Sequence, residues 1–158
     1  MRTLILFFGI LLISCQSDKE ETGFEQEKSD HKDPKVTAVE FINDYIRFIN
    51  DSDREIDLNN WIDQREDVTV SFKRELKRLT DKAEMENPNI GLGFDPILDA
   101  QDSPEIFKYS SRSDGYIFLE GIDWSEFKVV LKLVQQDNEW LIDGSGVVNI
   151  PKNKMIKR

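Results

Sequence analysis

The chain has 158 residues, and its 21 Lys and Arg against 31 Asp and Glu give a formal net charge of −10 at pH 7. This acidity excludes a nucleic-acid-binding protein, because such a protein needs a basic surface to displace the counterions of its partner. One cysteine, Cys15, and one histidine, His31, exclude an intramolecular disulfide, Cys-His catalysis and His-rich zinc sites. We therefore expect neither a metal nor a bound cofactor.

The N-terminus combines one positive charge at Arg2 with an apolar run from Leu4 to Ile13. That run matches the hydrophobic region of a secretory signal and falls well short of the roughly 20 residues that cross a bilayer as a helix. The string Leu12-Ile13-Ser14-Cys15 resembles the lipobox of bacterial lipoproteins. The resemblance implies that residues 1–14 are cleaved as a signal peptide and that Cys15 carries covalent lipid, which anchors the protein to a membrane.

The residues after the cysteine bear on location, again by resemblance. An aspartate directly after the cysteine resembles an inner-membrane retention signal. Gln16 stands at that position instead, so the resemblance implies sorting to the outer membrane. The next segment resembles short acidic signals that carry some lipoproteins to the cell surface, and the alternative is an ordinary tether at the periplasmic face. Residues 15–33 are predicted to be a disordered acidic tether, because 16–32 contain no aliphatic side chain to bury. The charged residues of the export-like segment are Asp18, Lys19, Glu20 and Glu21.

Three helical segments are predicted before the strands, from apolar residues that recur at three- and four-residue intervals. At Asp33-Pro34, an aspartate that can cap a helix precedes a proline that the first helical position tolerates. The broad apolar face that follows needs a sheet to pack on. The predicted segments are a long helix starting at Pro34, a short turn from Asp57 to Ile62 that contains Trp61, and a long helix from Thr69 to Glu86.

The C-terminal half changes to the alternating pattern that is typical of β-strands. Residues 87–104 are a loop rich in Gly, Pro and Asp, and four strands separated by short turns follow it. Helices followed by a strand meander indicate a single α+β domain at residues 34–150, with a basic tail at 151–158 that we expect to be frayed. The predicted strands are Ile106 to Arg112, Tyr116 to Gly121, Glu126 to Gln135 and Glu139 to Ile150.

Two strings resemble a known family. Residues 93–102, GFDPILDAQD, are similar to a loop of an uncharacterised bacterial lipoprotein family of the nuclear transport factor 2-like superfamily, with Ile97 where that family usually has phenylalanine. Residues 139–143, EWLID, match its closing strand. The resemblance covers about residues 36–150. It implies a cone in which N-terminal helices pack on a curved antiparallel sheet of about four strands, often with a pocket at the wide end and no assigned catalytic residues.

Carboxylates that are close in sequence are the first candidates for a site. Asp95, Asp99 and Asp102 can divide acid and base roles, or bind a hard cation such as calcium. The alternative is structural, because Asp95 before Pro96 can cap a helix and Asp102-Ser103-Pro104 is typical of a turn. Aromatic side chains can line a pocket or fill the core. The possible ligand or pocket residues are Tyr45, Trp61, Asp95, Asp99, Gln101 and Asp102.

These features favour a lipoprotein of the outer membrane, at its periplasmic face or on the cell surface. We expect its domain to bind a partner protein or a small ligand and not to be an enzyme, so no residue is assigned a catalytic role. Two alternatives stay open. One is a small envelope hydrolase or isomerase that uses pocket carboxylates, and the other is a lipoprotein that gives immunity to a toxin.

Overall fold

The computed structural model describes residues 32–157. The predictions for the signal peptide, Cys15, the sorting residues and most of the tether lie outside these residues. Three helices precede four strands, which confirms the predicted order of elements and the α+β class. The elements are α1 (Pro34–Asn50), α2 (Leu58–Asp63), α3 (Val70–Glu86), β1 (Phe107–Ser113), β2 (Tyr116–Gly121), β3 (Lys128–Gln136) and β4 (Glu139–Ser145).

Each helix begins at a polar side chain that accepts a hydrogen bond from a nearby backbone amide. Such caps satisfy amides that the first helical turn leaves unpaired. The cap before α1 and the proline at its first turn confirm the prediction. The three capping hydrogen bonds join Asp33 to the Lys35 amide at 2.9 Å, Asp57 to the Asn60 amide at 2.8 Å and Thr69 to the Phe72 amide at 3.1 Å.

Within residues 32–157, none of the helices is long and apolar enough to cross a membrane.

The strands form one antiparallel sheet in the order β1-β2-β3-β4. Two-residue turns at Asp114-Gly115 and Asp137-Asn138 join the outer pairs, and all four residues have positive φ, as tight hairpin turns require. The predicted continuation of β4 to Ile150 is wrong. At Gly146 φ is 57°, so the chain turns back and the Ser145 amide donates to the Val148 carbonyl at 3.0 Å.

The core lies between α1 and one face of the sheet, and α3 closes it from the side. The apolar spacing that predicted α3 places Phe72 and Leu76 on its inner face, where both are fully buried. α1 contributes the largest side chains of the core. Its fully buried partners in the sheet come from all four strands, including Phe107 of β1. The main core residues are Phe41, Ile42, Tyr45 and Ile46 of α1 and Ile117, Leu119, Leu131 and Ile142 of the sheet.

Asn43 ties α1 to β1 at the edge of the sheet. Its amide nitrogen donates to the Phe107 carbonyl at 3.0 Å, and its oxygen accepts from the Phe107 amide at 2.8 Å. We expect Asn43→Ala to lower the free energy of unfolding by about 2 kcal/mol, because two backbone groups of a buried residue lose their partner. Denaturant unfolding measures the loss. Asn50→Ala, at the exposed end of α1, is the control, and an equal loss in both variants would contradict the role of Asn43.

The basic tail packs on the β1–β2 turn, so the expectation of a frayed end is wrong at this point. Lys154 Nζ donates to the Asp114 carboxylate at 2.7 Å and lies 5.7 Å from the centroid of the Tyr116 ring. The hydrogen bond and the positive charge of Lys154 lower the pKa of Asp114. Both partners are on the surface, and exposed ion pairs add little to stability.

Candidate functional site

Aromatic side chains meet where α1 ends and α2 begins. Phe41, Tyr45 and Phe48 recur at three- and four-residue intervals along α1, so they lie on one face of the helix. Trp61 of α2 completes the cluster. Its ring stacks on that of Phe48 at a centroid distance of 4.9 Å and lies 5.6 Å from the ring of Tyr45. The structure thus brings together two of the predicted pocket residues, Tyr45 and Trp61.

A partly buried arginine packs against this cluster. The guanidinium of Arg65 lies 4.8 Å from the centroid of Trp61 and 5.3 Å from that of Phe41. Its Nε donates to Asp67 at 2.7 Å, and two further nitrogens donate to Asp44 at 3.2 Å. Burial alone would lower the pKa of Arg65, but the two carboxylates outweigh it and raise the pKa. Arg65 is therefore held in place beside the aromatic cluster, and the two carboxylates neutralise its charge.

Two open clefts adjoin the cluster, and both are lined by Phe48 and Arg54. One has a volume of about 550 Å³ and is ringed by side chains of both charges, including Arg47 and Asp51. The other has a volume of about 360 Å³ and contains Tyr45 and Asp95. Because they share two side chains, we treat them as one site and call it the α1-end cleft.

Arg54 is the charged side chain common to both parts of the α1-end cleft. Its guanidinium lies 5.4 Å from the centroid of Phe48, and one nitrogen donates to the Ile49 carbonyl at 3.0 Å. In the described part of the chain it takes part in no ion pair. A guanidinium carries five N–H donors, so several of those on Arg54 remain for solvent or a ligand. An exposed guanidinium beside stacked rings can bind a flat anionic group.

Asp95 joins the loop of residues 87–104 to α1. Its Oδ1 accepts from the amides of Ile97 and Leu98 at 2.8 and 2.9 Å, and its Oδ2 accepts from the Tyr45 hydroxyl. Burial raises the pKa of Asp95, although these three hydrogen bonds oppose the rise. Burial and the nearby carboxylate raise the pKa of Tyr45 far above its ordinary value, so the phenol keeps its proton. Asp95 therefore has the capping role that the structural interpretation predicts, but it caps a turn and not the expected helix.

The other predicted site residues lie apart from the α1-end cleft. Asp99 is in the turn that Asp95 begins, with φ at 56°. Gln101 donates its side-chain amide to a carbonyl of the same loop at 3.0 Å, and with the exposed Asp102 it lines a separate cleft of about 330 Å³ beside Trp124. Within residues 32–157, no three acidic, His or Cys side chains are placed to hold a metal ion. Asp95 and Asp102 line different clefts, and the three aspartates are not placed to hold a metal ion together.

Comparison with protein-family models, curated proteins and solved structures gives no match to this chain. The candidate site therefore rests on its own geometry. Sequence reasoning missed Phe48, Arg54 and Arg65 as cleft residues. Phe48 had a signal, because it lies three residues after Tyr45 on the same helix face. The arginines had none, because they lie in loops and Arg65 meets a partner 21 positions away in sequence.

Proposed function

We propose that this chain is a lipoprotein of the bacterial outer membrane, whose domain binds a partner protein or a small ligand without catalysis. The anchor is lipid on Cys15, supported by the string Leu12-Ile13-Ser14-Cys15 and by the length of the apolar run before it. The fold is the cone of the nuclear transport factor 2-like superfamily. Its support is the set of helices on a four-stranded antiparallel sheet, in the order that the resemblance implies.

The α1-end cleft is the proposed binding site, and the exposed guanidinium of Arg54 beside Phe48 is the observation that carries it. The neighbouring Arg47 and Arg65 already pair with carboxylates of the protein. Arg54 has no such partner in residues 32–157, so it is the cation that is left for an occupant. The occupant has an anionic group for Arg54 and an apolar surface for the aromatic rings. A small carboxylate and an acidic loop of a partner protein both meet this description.

Removing the charge of Arg54 tests the binding site. Arg54→Gln keeps a polar side chain in place, and Arg74→Gln removes the same charge from the exposed face of α3 as a control. Thermal-shift screening with small carboxylates and photo-crosslinking from position 55 in intact cells cover the two kinds of occupant. We expect the wild-type protein to bind at least one occupant. Arg74→Gln should bind it equally well, whereas Arg54→Gln should bind it about tenfold more weakly. If nothing binds, or if both variants behave alike, the cleft is not the binding site.

An enzyme is the second candidate, because Asp95 borders the α1-end cleft and burial raises the pKa of its carboxyl. A carboxyl whose pKa is raised is better suited to act as a general acid. Both of its oxygens already accept hydrogen bonds from the protein, which is why this function comes second. Turnover of a substrate that Asp95→Asn abolishes in a folded protein would establish the enzyme. Turnover that the variant leaves unchanged would remove Asp95 from catalysis.

We also propose that the domain lies on the outer surface of the cell. The acidic segment after Gln16 supports this location. Protease treatment of intact cells is the test, with wild type and with Lys19, Glu20 and Glu21 replaced by alanine. We propose that protease removes the wild-type domain and spares the variant, because the variant remains on the inner side of the outer membrane. A wild-type domain that resists protease on intact cells would place the protein at the periplasmic face.

A further inference from the structure

The cleft of about 330 Å³ beside Trp124 lies between the end of the loop of residues 87–104 and the turn from β2 to β3. We call it the Trp124 cleft. Trp124 is 45% exposed, and its ring meets the ring of the buried Phe127 edge-on at a centroid distance of 5.1 Å. A tryptophan held at the surface beside a buried ring is typical of the centre of a protein interface. The lining is Ala100, Gln101, Asp102, Trp124, Glu126 and Phe127.

Hydrogen bonds hold Trp124 in this position. The Phe127 amide donates to the Trp124 carbonyl at 3.1 Å, and the Gly121 amide donates to the Phe127 carbonyl at 3.0 Å. The turn is also tied to the neighbouring loop, because the Glu105 amide donates to the Asp123 carboxylate at 3.2 Å. The exposed ring is therefore fixed before a partner arrives, which lowers the entropy cost of binding.

Apolar surface continues past the cleft in the same two segments of the chain. Ile106 and Ile122 are 47% and 56% exposed. The Ile122 amide donates to the Ile106 carbonyl at 2.9 Å, so the two residues are neighbours at the open end of the β1–β2 hairpin. A small molecule in the Trp124 cleft would leave both isoleucines uncovered, whereas a segment of a partner protein is long enough to reach them.

The charge of these two segments is entirely negative. Residues 101–106 and 122–127 contain four carboxylates and no Lys or Arg. Asp102 and Glu126 line the cleft, are exposed, and take part in no ion pair in the part of the chain that the structure describes. Such a surface favours a partner of positive charge. A second copy of this chain is disfavoured, because its formal net charge is −10.

We propose that the Trp124 cleft and the adjoining isoleucines bind a basic segment of a partner protein, in which Lys or Arg side chains lie beside apolar ones. The cationic groups pair with Asp102 and Glu126 and lie over the Trp124 ring, and the apolar side chains cover Ile106 and Ile122. This surface prefers the opposite charge to the α1-end cleft and does not depend on what binds there.

A short peptide that alternates lysine and leucine is the probe, titrated into the full chain in neutral detergent micelles. The readout is the ¹⁵N indole signal of Trp124, assigned with Trp124→Phe, while the signals of Trp61 and Trp140 report binding at other clefts. We expect the probe to shift the Trp124 signal saturably. Glutamate in place of lysine, or serine in place of leucine, should weaken the binding at least tenfold. Equal binding by either altered peptide, no shift, or equal shifts of all three signals would overturn the proposal.

Paired substitutions locate the site on the protein. Asp102→Asn with Glu126→Gln should bind the probe about tenfold more weakly than wild type. Glu84→Gln with Asp137→Asn is the matched control, because it makes the same two changes at exposed positions on α3 and in the β3–β4 turn. The control should bind the probe as wild type does. Equal losses in both variants would show that the overall charge attracts the peptide, and the proposal would be wrong.

Two other occupants of the surface are tested in the same micelles. N-acetyl-lysine amide that binds as tightly as the peptide would indicate a site for a small cation. A spin-labelled lipid that broadens the Trp124 signal before peptide is added would indicate that the membrane covers this surface. Either result would overturn the proposal of a protein partner.

Discussion

Asp95→Ala is expected to lower the free energy of unfolding by about 3 kcal/mol. Alanine removes the acceptor for the amides of Ile97 and Leu98, and it leaves the hydroxyl of Tyr45, a residue only 1% exposed, without its partner. Because Asp95 and Tyr45 are 50 positions apart in sequence, the change also releases the loop from α1. Denaturant unfolding measures the loss, and a loss below about 1 kcal/mol would show that this contact does not hold the loop.

The pH dependence of stability tests whether the pKa of Asp95 is raised in the folded chain. The pKa of Asp95 in the folded chain lies above its ordinary value of 3.8, because burial favours the neutral carboxyl. The folded chain then binds more protons than the unfolded chain, so stability falls as pH rises through the folded pKa. Asp95→Asn does not titrate, so wild type should lose stability relative to it as pH rises from about 4 towards neutral. A constant difference, or one of opposite sign, would contradict the raised pKa.

Gly146→Ala is expected to lower the free energy of unfolding by about 3 kcal/mol or more. Gly146 has φ at 57°, and a Cβ there would lie 2.4 Å from the Pro96 oxygen and 2.5 Å from the Ile97 oxygen. Those backbone atoms cannot easily move, because the Val147 amide donates to Pro96 at 2.9 Å and the Ser145 hydroxyl donates to Ile97 at 2.8 Å. The clash adds to the strain of a left-handed backbone.

Gly115→Ala is the matched control for this prediction. Gly115 also has positive φ, at 82°, but a Cβ there would meet no atom within 4 Å. Its loss should be about 1 kcal/mol, since it reports the backbone strain alone. The difference between the two variants, measured by denaturant unfolding, gives the contribution of the close approach at Gly146. Equal losses would mean that the end of β4 is not packed on the Pro96-Ile97 turn.

Local sequence patterns were sufficient to predict the helices and the strand order. A cap such as Asp33 or Thr69 and the apolar spacing after it depend on residues within one or two turns, so they can be seen without the fold. The four strands alternate and are joined by short turns with typical turn residues, which predicts neighbours paired in sequence order. The end of β4 could not be predicted, because the turn at Gly146 packs against a loop that lies 50 positions earlier in the sequence.

The candidate site was predictable only in part, because its contacts join distant segments. Tyr45, Trp61 and Asp95 could each be selected as an aromatic or acidic residue of an apolar segment. Their contact with one another depends on how α2 and the loop after α3 fold back onto α1.

Labelling cells with a tagged palmitate tests the central claim, that the chain is held at a membrane through Cys15. We predict that the wild-type protein takes up the label and fractionates with the outer membrane. Cys15→Ser should take up none and accumulate with its first 14 residues uncleaved, because serine has no sulfur to accept the lipid and the proposed cleavage follows that modification. Label on both proteins, or on neither, would contradict the lipid anchor.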